Sequence, residues 1–325
     1  QTWPEKPVHI IVAFTPGSAT DVIARAVSNE LSARLGQPVI IENKPGAGGT
    51  IAAGQVAKSA PDGYTLLVNS SGHTVSPWIY SKLSYDTAKD LSGVTLLARQ
   101  PNILVVSPDK GWKTVGDLVK QAKAQPGKLS FASAGVGSAS HLAAELLKTR
   151  AGIEMTHVPN KGMNPALIDL MAGQVQVLFA SVPGMLSEKS ERIRPIAMAE
   201  KKRSALIPDM PTMSESGLPD FEVGNWAGLL GPAGMPPTII DKLYRQVGEV
   251  LKTPYAHERF NAAGGREVRG NSGLMRKVGG KCRGLPRHCG RGRSLALMLP
   301  KFISLQAGNI GTRRLSACTR FAARE

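Results

Sequence analysis

The largely apolar run Val8 to Phe14 breaks at Pro16-Gly17-Ser18-Ala19-Thr20-Asp21 and resumes at helical spacing with Val22, Ala26 and Leu31. A strand, a small-residue loop and a helix in that order form the opening unit of an α/β fold. A helix begun this way leaves its first backbone N–H groups unpaired and its positive dipole end beside the loop, so an anion is the natural neighbour. Either Asp21 or Thr20 is expected to cap the helix, which leaves the amides of Ser18 and Ala19 to face a ligand. Taken alone, the segment reads equally as a helix start that binds nothing.

The unit recurs. Strand-like Tyr64 to Asn69 stops at Ser70-Ser71-Gly72-His73, and strand-like Leu129 to Ala132 opens into Ser133 to Ser140 before a helix from His141 to Arg150. In an open parallel sheet, polar loops after successive strands line one edge, where ligands bind. Thr114 and Asp117 form a capping pair for a helix from Val115 to Ala124, and Pro236-Pro237-Thr238 opens another carrying Ile239, Leu243, Val247 and Leu251. The pattern breaks near Pro101 and returns at Trp226. Residues 1–100 with 225–270 are therefore expected to form one lobe and 101–224 the other, with crossings near Arg99-Gln100-Pro101 and Asp220 to Trp226 as the hinge.

The net charge of +16 over 325 residues suggests nucleic acid until it is divided along the chain. Residues 1–265 carry 26 Lys+Arg against 22 Asp+Glu, whereas 266–325 carry 14 against 2, so the basicity is local. Cys282, Cys289 and Cys318 all lie in that last stretch. Cys282, Cys289 and His288 do not form a zinc site, since no fourth ligand has a sensible spacing. No apolar run approaches the roughly 18 residues of a membrane span. The chain opens at Gln1, so a leader is expected to have been processed away. Phe131-Ala132-Ser133-Ala134-Gly135 lacks the first glycine of a nucleophile elbow, and neither Gly46 to Ile51 nor Gly135 to Ser140 completes a dinucleotide loop. These absences point to a binding protein with no catalytic residues, cofactor or metal; the rival is an enzyme acting on a small carboxylated substrate with His73 or His141 as base.

The stretches WPEKPVHIIVAFTPGSATDVIAR, VIIENKPGAGGTIAAGQVAKSAPDGYTLL, KLSFASAGVGSASHLAAELLK, HVPNKGMNPALIDLMAGQVQVLFASVPG and WAGLLGPAGMPPTIIDKL follow one another in order from residue 3 to about 264. In these the chain closely resembles the solute-binding proteins of tripartite tricarboxylate transporters, the Bordetella uptake gene (TctC) type. The resemblance implies an α/β, two-lobed periplasmic binding protein of the Venus-flytrap kind, type II-like. It would be a monomer feeding a small organic carboxylate to inner-membrane transporter subunits, with no nucleic-acid partner. Carried over residue by residue, it implies ligand contacts at Phe14, Ser18, Ala19 and Thr20, with Asp21 capping the helix. Further contacts would come from Ser70, Ser71 and His73, from Gly137, Ser138 and Ser140 of the other lobe, and from Asn160, which replaces an aromatic. Ala180 stands where members usually carry Asp, which favours a ligand without an ammonium group.

Family members continue after the last glycine motif into a helix rich in acidic and aromatic residues. Here residues 271–325 are an aberrant basic tail that reads as out-of-frame translation. The coding DNA read in another frame should restore such a helix; sequencing that finds none in either alternative frame rules out a simple frameshift.

Overall fold

The computed structural model describes residues 3–181, 192–204 and 207–263 and the backbone of 266–267. The basic tail from 271 onward therefore lies outside the described residues. In chain order the strands are β1 Val8–Val12, β2 Val39–Asn43, β3 Thr65–Ser70, β4 Leu91–Gln100, β5 Asn102–Val106, β6 Ser130–Ser133, β7 Thr156–Pro159, β8 Val177–Ser181, β9 Arg194–Met198, β10 Asn225–Pro232 and β11 Arg266–Glu267. The helices are α1 Ala19–Leu35, α2 Thr50–Ala57, α3 Gly72–Ile79, α4 Val115–Ala124, α5 Ala139–Ala151, α6 Met163–Met171, α7 Pro237–Val250 and α8 Pro254–Ala262.

Two sheets result, one per lobe, in the orders β11-β4-β10-β3-β1-β2 and β7-β6-β8-β5-β9. Neither is wholly parallel. β1 runs parallel to β2 and β3, but β10 inserts antiparallel between β3 and β4. In the second sheet β6 is parallel to β7 and β8, whereas β5 is antiparallel to β8 and β9. The parallel members still bring the loops after β1, β3 and β6 to the edges where the lobes meet.

Helices cover both faces of each sheet, which is why the strands read as nearly unbroken apolar runs. Ile10 points into a cluster with Ile23, Val27 and Leu31 of α1 and Leu243 of α7, while its neighbour Ile11 points to Ala52 and Ala53 of α2. Phe131 and Val177 pack on Leu142 and Leu146 of α5, whereas Ala132 and Leu178 face Ala166 and Leu170 of α6. Helix ends follow local rules. Thr114 and Asp117 make the reciprocal capping box at α4, and Gly36 and Gly152 close α1 and α5 in the left-handed conformation.

One element departs from the sequence reading. Ser70-Ser71-Gly72-His73 is not simply a polar loop: β3 runs on through Ser70 and α3 starts at Gly72. Its small polar residues and Pro77 conceal the helix, and tertiary burial supplies what propensity withholds. Val75, Trp78 and Ile79 of α3 pack against the apolar cluster of the second lobe, so this helix belongs structurally to the interface.

Beside these side chains, main chain meets main chain across the lobes. A Cβ on Gly72 would stand 2.6 Å from the Gly137 carbonyl oxygen, and one on Gly48 would stand 2.5 Å from that of Val136. The Tyr80 hydroxyl donates across the same gap to the Val136 carbonyl at 2.7 Å. Gly72→Ala isolates this contact, because alanine by itself favours a helix by up to about 1 kcal/mol. The variant should keep the thermal stability of the lobes yet close poorly, giving a larger radius of gyration by X-ray scattering in the presence of ligand. An unchanged radius would show that the seam tolerates a methyl group.

Candidate functional site

The turn from β1 into α1 is organised by a buried carboxylate. Ser18, in an extended conformation, caps α1 by accepting the Asp21 amide at 3.3 Å. Asp21 Oδ2 accepts the Gly17 amide and the Arg25 guanidinium, each at 2.9 Å, and Oδ1 accepts Asn43 Nδ2 at 2.7 Å. This corrects the expectation that Asp21 or Thr20 caps the helix: the serine sits at the required position, and Asp21, one turn in, points back behind the loop. Ser18 N–H is also occupied, donating to the Thr15 carbonyl at 3.2 Å. The amides of Ala19 and Thr20 are the ones that donate to no acceptor among the described residues. Phe14 contributes its carbonyl to Asn43 and its ring to the apolar cluster over α2.

The β6–α5 turn repeats this arrangement. Ser138 caps α5 by accepting the His141 amide, and the Gly137 amide donates to His141 Nδ1 at 3.2 Å. Ser138 and Ser140 hydroxyls share a bond of 3.0 Å, and Ser140 Oγ accepts the Ala134 amide. The serine hydroxyls thus build the loop, and the amides of Ala139 and Ser140 are left without protein acceptors among the described residues.

Two further helix starts adjoin these. Gly72 at the start of α3 lies against Gly137 and Ser138, and Gly17 before α1 lies against Asn164 at the start of α6. Four helix N-termini therefore meet in pairs across the interlobe seam, α3 with α5 and α1 with α6. Ser70 ends β3, its amide donating to Asn69 Oδ1 at 2.8 Å, and the Ser71 hydroxyl donates to Asn225 Oδ1 at 2.9 Å. Asn225 Nδ2 in turn donates to Gln100 Oε1 at 3.0 Å, so the rim is tied to both segments that cross between the lobes. His73 is buried, stacked parallel to Tyr85 at 6.3 Å, with Nδ1 unpartnered among the described residues.

Asn160 and Ala180 are less available. Asn160 Nδ2 donates to Asp169 at 3.0 Å, holding that side chain on α6. Ala180 lies in the apolar cluster with Ala132, Ala166 and Met198. Residues that the sequence reading passed over are Thr15, Gln100 and Trp226, whose Oγ1, Nε2 and Nε1 atoms are buried without hydrogen-bond partners among the described residues. Thr15 Oγ1 lies across the interface from Gly162, where a Cβ would stand 2.7 Å away. The sequence marked Gln100 and Trp226 only as bordering the hinge. Among the described residues no group of three His, Cys, Asp or Glu side chains could hold a metal ion, and no helix is long and apolar enough to cross a membrane.

Burial lowers His73, His141 and His157 from the ordinary 6.5 to about 4, with Lys148 acting the same way on the latter two and His141 also on His157. The unfolded chain therefore binds more protons than the folded one between these limits. Stability is full above about pH 6.5 and is lost as the pH falls toward 4, by up to about 1.4 kcal/mol per pH unit for each of His73 and His141 and by less for the more exposed His157. Denaturant melts from pH 7 to 4.5 should show this fall. His73→Phe, which keeps a ring against Tyr85 but cannot titrate, should make the fall shallower; an identical slope would mean His73 is not held neutral by folding.

The comparisons agree with this architecture. The family model "Tripartite tricarboxylate transporter family receptor" matches residues 23–278. The chain is 37% identical over 270 residues to Protein BugT of Bordetella pertussis, covering 82% of this chain and 83% of that one. Among solved structures it is similar to MatC of Rhodopseudomonas palustris with bound malate, with 31% identity and a TM-score of 0.82, covering 93% of this chain and 100% of that one. It is also similar to an R. palustris protein with adipate, with 33% identity and a TM-score of 0.81, covering 86% and 94%. The chain belongs to the tripartite tricarboxylate transporter receptors: it is a two-lobed α/β periplasmic protein that binds small organic anions for transport.

Proposed function

We propose that the ligand is a small dicarboxylate, with one carboxylate on the Ala19 and Thr20 amides and the other on the Ala139 and Ser140 amides. The observation that carries this is the meeting of four helix N-termini in pairs across the interlobe seam, each with first-turn amides that donate to no acceptor among the described residues, those of α1 and α5 being presented by matching Gly-Ser turns. Each N-terminus acts as roughly half a positive charge, so four supply about two, the charge of a dianion. The charge of Asp21 is balanced by Arg25 behind the loop. His73 is neutral at physiological pH, and so adds no cation. Amides held in place by capped helices bind carboxylates through charge-assisted hydrogen bonds, stronger than neutral ones, and release them chemically unchanged. The malate and adipate of the two solved relatives fit this class. Ser71, through Asn225 and Gln100, links ligand capture to the hinge, and the closed form is handed to inner-membrane subunits.

Ala19 is the first residue of α1 and follows an extended Ser18, so proline fits there and deletes a single N–H. Ala19→Pro should weaken adipate or malate binding by about 5- to 150-fold, the usual effect of leaving a buried hydrogen-bonding group unpaired. Calorimetry across mono-, di- and tricarboxylates, with native mass spectrometry of the purified protein, tests the class. Unchanged affinity in the folded variant places the anion elsewhere, and tighter binding of a monocarboxylate overturns the dianion.

A further inference from the structure

The starts of α1 and α5 are built on the same five-residue plan, Gly17-Ser18-Ala19-Thr20-Asp21 and Gly137-Ser138-Ala139-Ser140-His141. Both glycines have positive φ, at 76° and 81°, and both donate their amide to the side chain four residues on. In α1 that acceptor is a carboxylate, fixed by Arg25 one turn later. In α5 it is an imidazole nitrogen, and one turn later stands the opposite charge, Glu145, 4.0 Å from His141 Nε2. Nδ1 can accept the Gly137 N–H only while unprotonated, so the ring proton belongs on Nε2, toward Glu145.

His141 does not stand alone. His157 of β7 stacks on it with ring centres 4.2 Å apart, and Phe131 of β6 stacks on His157 at 4.7 Å. His157 Nε2 lies 2.6 Å from Ser133 Oγ, and that hydroxyl accepts the Gly135 amide at 3.1 Å. The two imidazoles therefore hold both glycine amides of the turn, one directly and one through Ser133. The charged groups facing the pair are Glu145 and Lys148 of α5; β6 presents only Phe131 and Ser133. A proton on Nδ1 of His141 would set donor against donor at Gly137 and place an imidazolium against its stacked neighbour, in a setting where burial already disfavours charge.

We propose that His141, with His157 stacked on it, is the positioning residue of the second-lobe anion loop, and that one proton taken up by the pair dismantles the loop and releases the ligand. This rests on the reading that the Ala139 and Ser140 amides hold a carboxylate. Of the two matching turns only the second thus depends on a histidine, the first using the Asp21 carboxylate at the same place.

The test follows adipate binding by calorimetry from pH 7.5 to 3.5 in the wild type, His141→Phe and His141→Asn. Phenylalanine keeps the stack and loses the acceptor; its affinity at pH 7.5 should fall about 5- to 150-fold. Asparagine places an oxygen near the position of Nδ1 and cannot take up a proton, so it should recover most of that loss. The ratio of wild-type to Asn-variant affinity cancels titration of adipate itself and should fall with acid. A constant ratio, or a Phe variant that binds like the wild type, overturns the proposal. Imidazole nitrogen spectra of the ligand-free protein at pH 7 should show His141 protonated at Nε2 and bare at Nδ1. Normal adipate binding with Nδ1 protonated overturns the proposal alone. Failure of both adipate and malate to bind the wild type at pH 7.5 overturns the anion reading, and the proposal with it, whatever the spectra show.

Discussion

The buried carboxylate of Asp21 is the constraint on which the first rim depends. A charge taken out of water is costly unless it is paired and fully hydrogen-bonded, and Asp21 meets that condition through Gly17, Arg25 and Asn43. Those partners join three pieces of chain: the turn after β1, the first turns of α1 and the end of β2. Because the carboxylate is used behind the loop, it does not cap the helix. Ser18 takes the cap instead, and the Ala19 and Thr20 amides are left without acceptors among the described residues.

The second lobe reaches the same loop shape with different chemistry. His141 replaces the acid, Glu145 replaces the base, and an aromatic stack with His157 and Phe131 replaces the Asn43 tie. The second turn thus uses an imidazole nitrogen where the first uses a carboxylate oxygen.

Glycine at 48, 72 and 162 lets main chain meet main chain or a small hydroxyl across the lobes. The hydrogen-bonded path from Ser71 through Asn225 to Gln100 connects that contact to the strands from which the chain crosses between lobes. β10, lying between β3 and β4, anchors Asn225 in the first sheet, so the rim and the hinge share one rigid support.

By itself the sequence determined what is local. The apolar run at Val8, the capping pair Thr114 and Asp117, and the small-residue turns before α1 and α5 were legible because strand alternation, helix period and capping act over a few residues. Serine, threonine and glycine at those turns also raised the expectation of an anion-binding rim. It could not say that β10 runs antiparallel inside the first sheet, or that Gly72 begins a helix whose apolar face rests on the other lobe. Nor could it say which amides stay free: Asp21 looked like a cap and Ser18 like a free donor. Those assignments depend on partners far away in sequence, such as Asn225, 154 residues from Ser71. Hydrogen-bond acceptors are shared out only when the chain packs, and so only the tertiary structure decided which donors remain for a ligand.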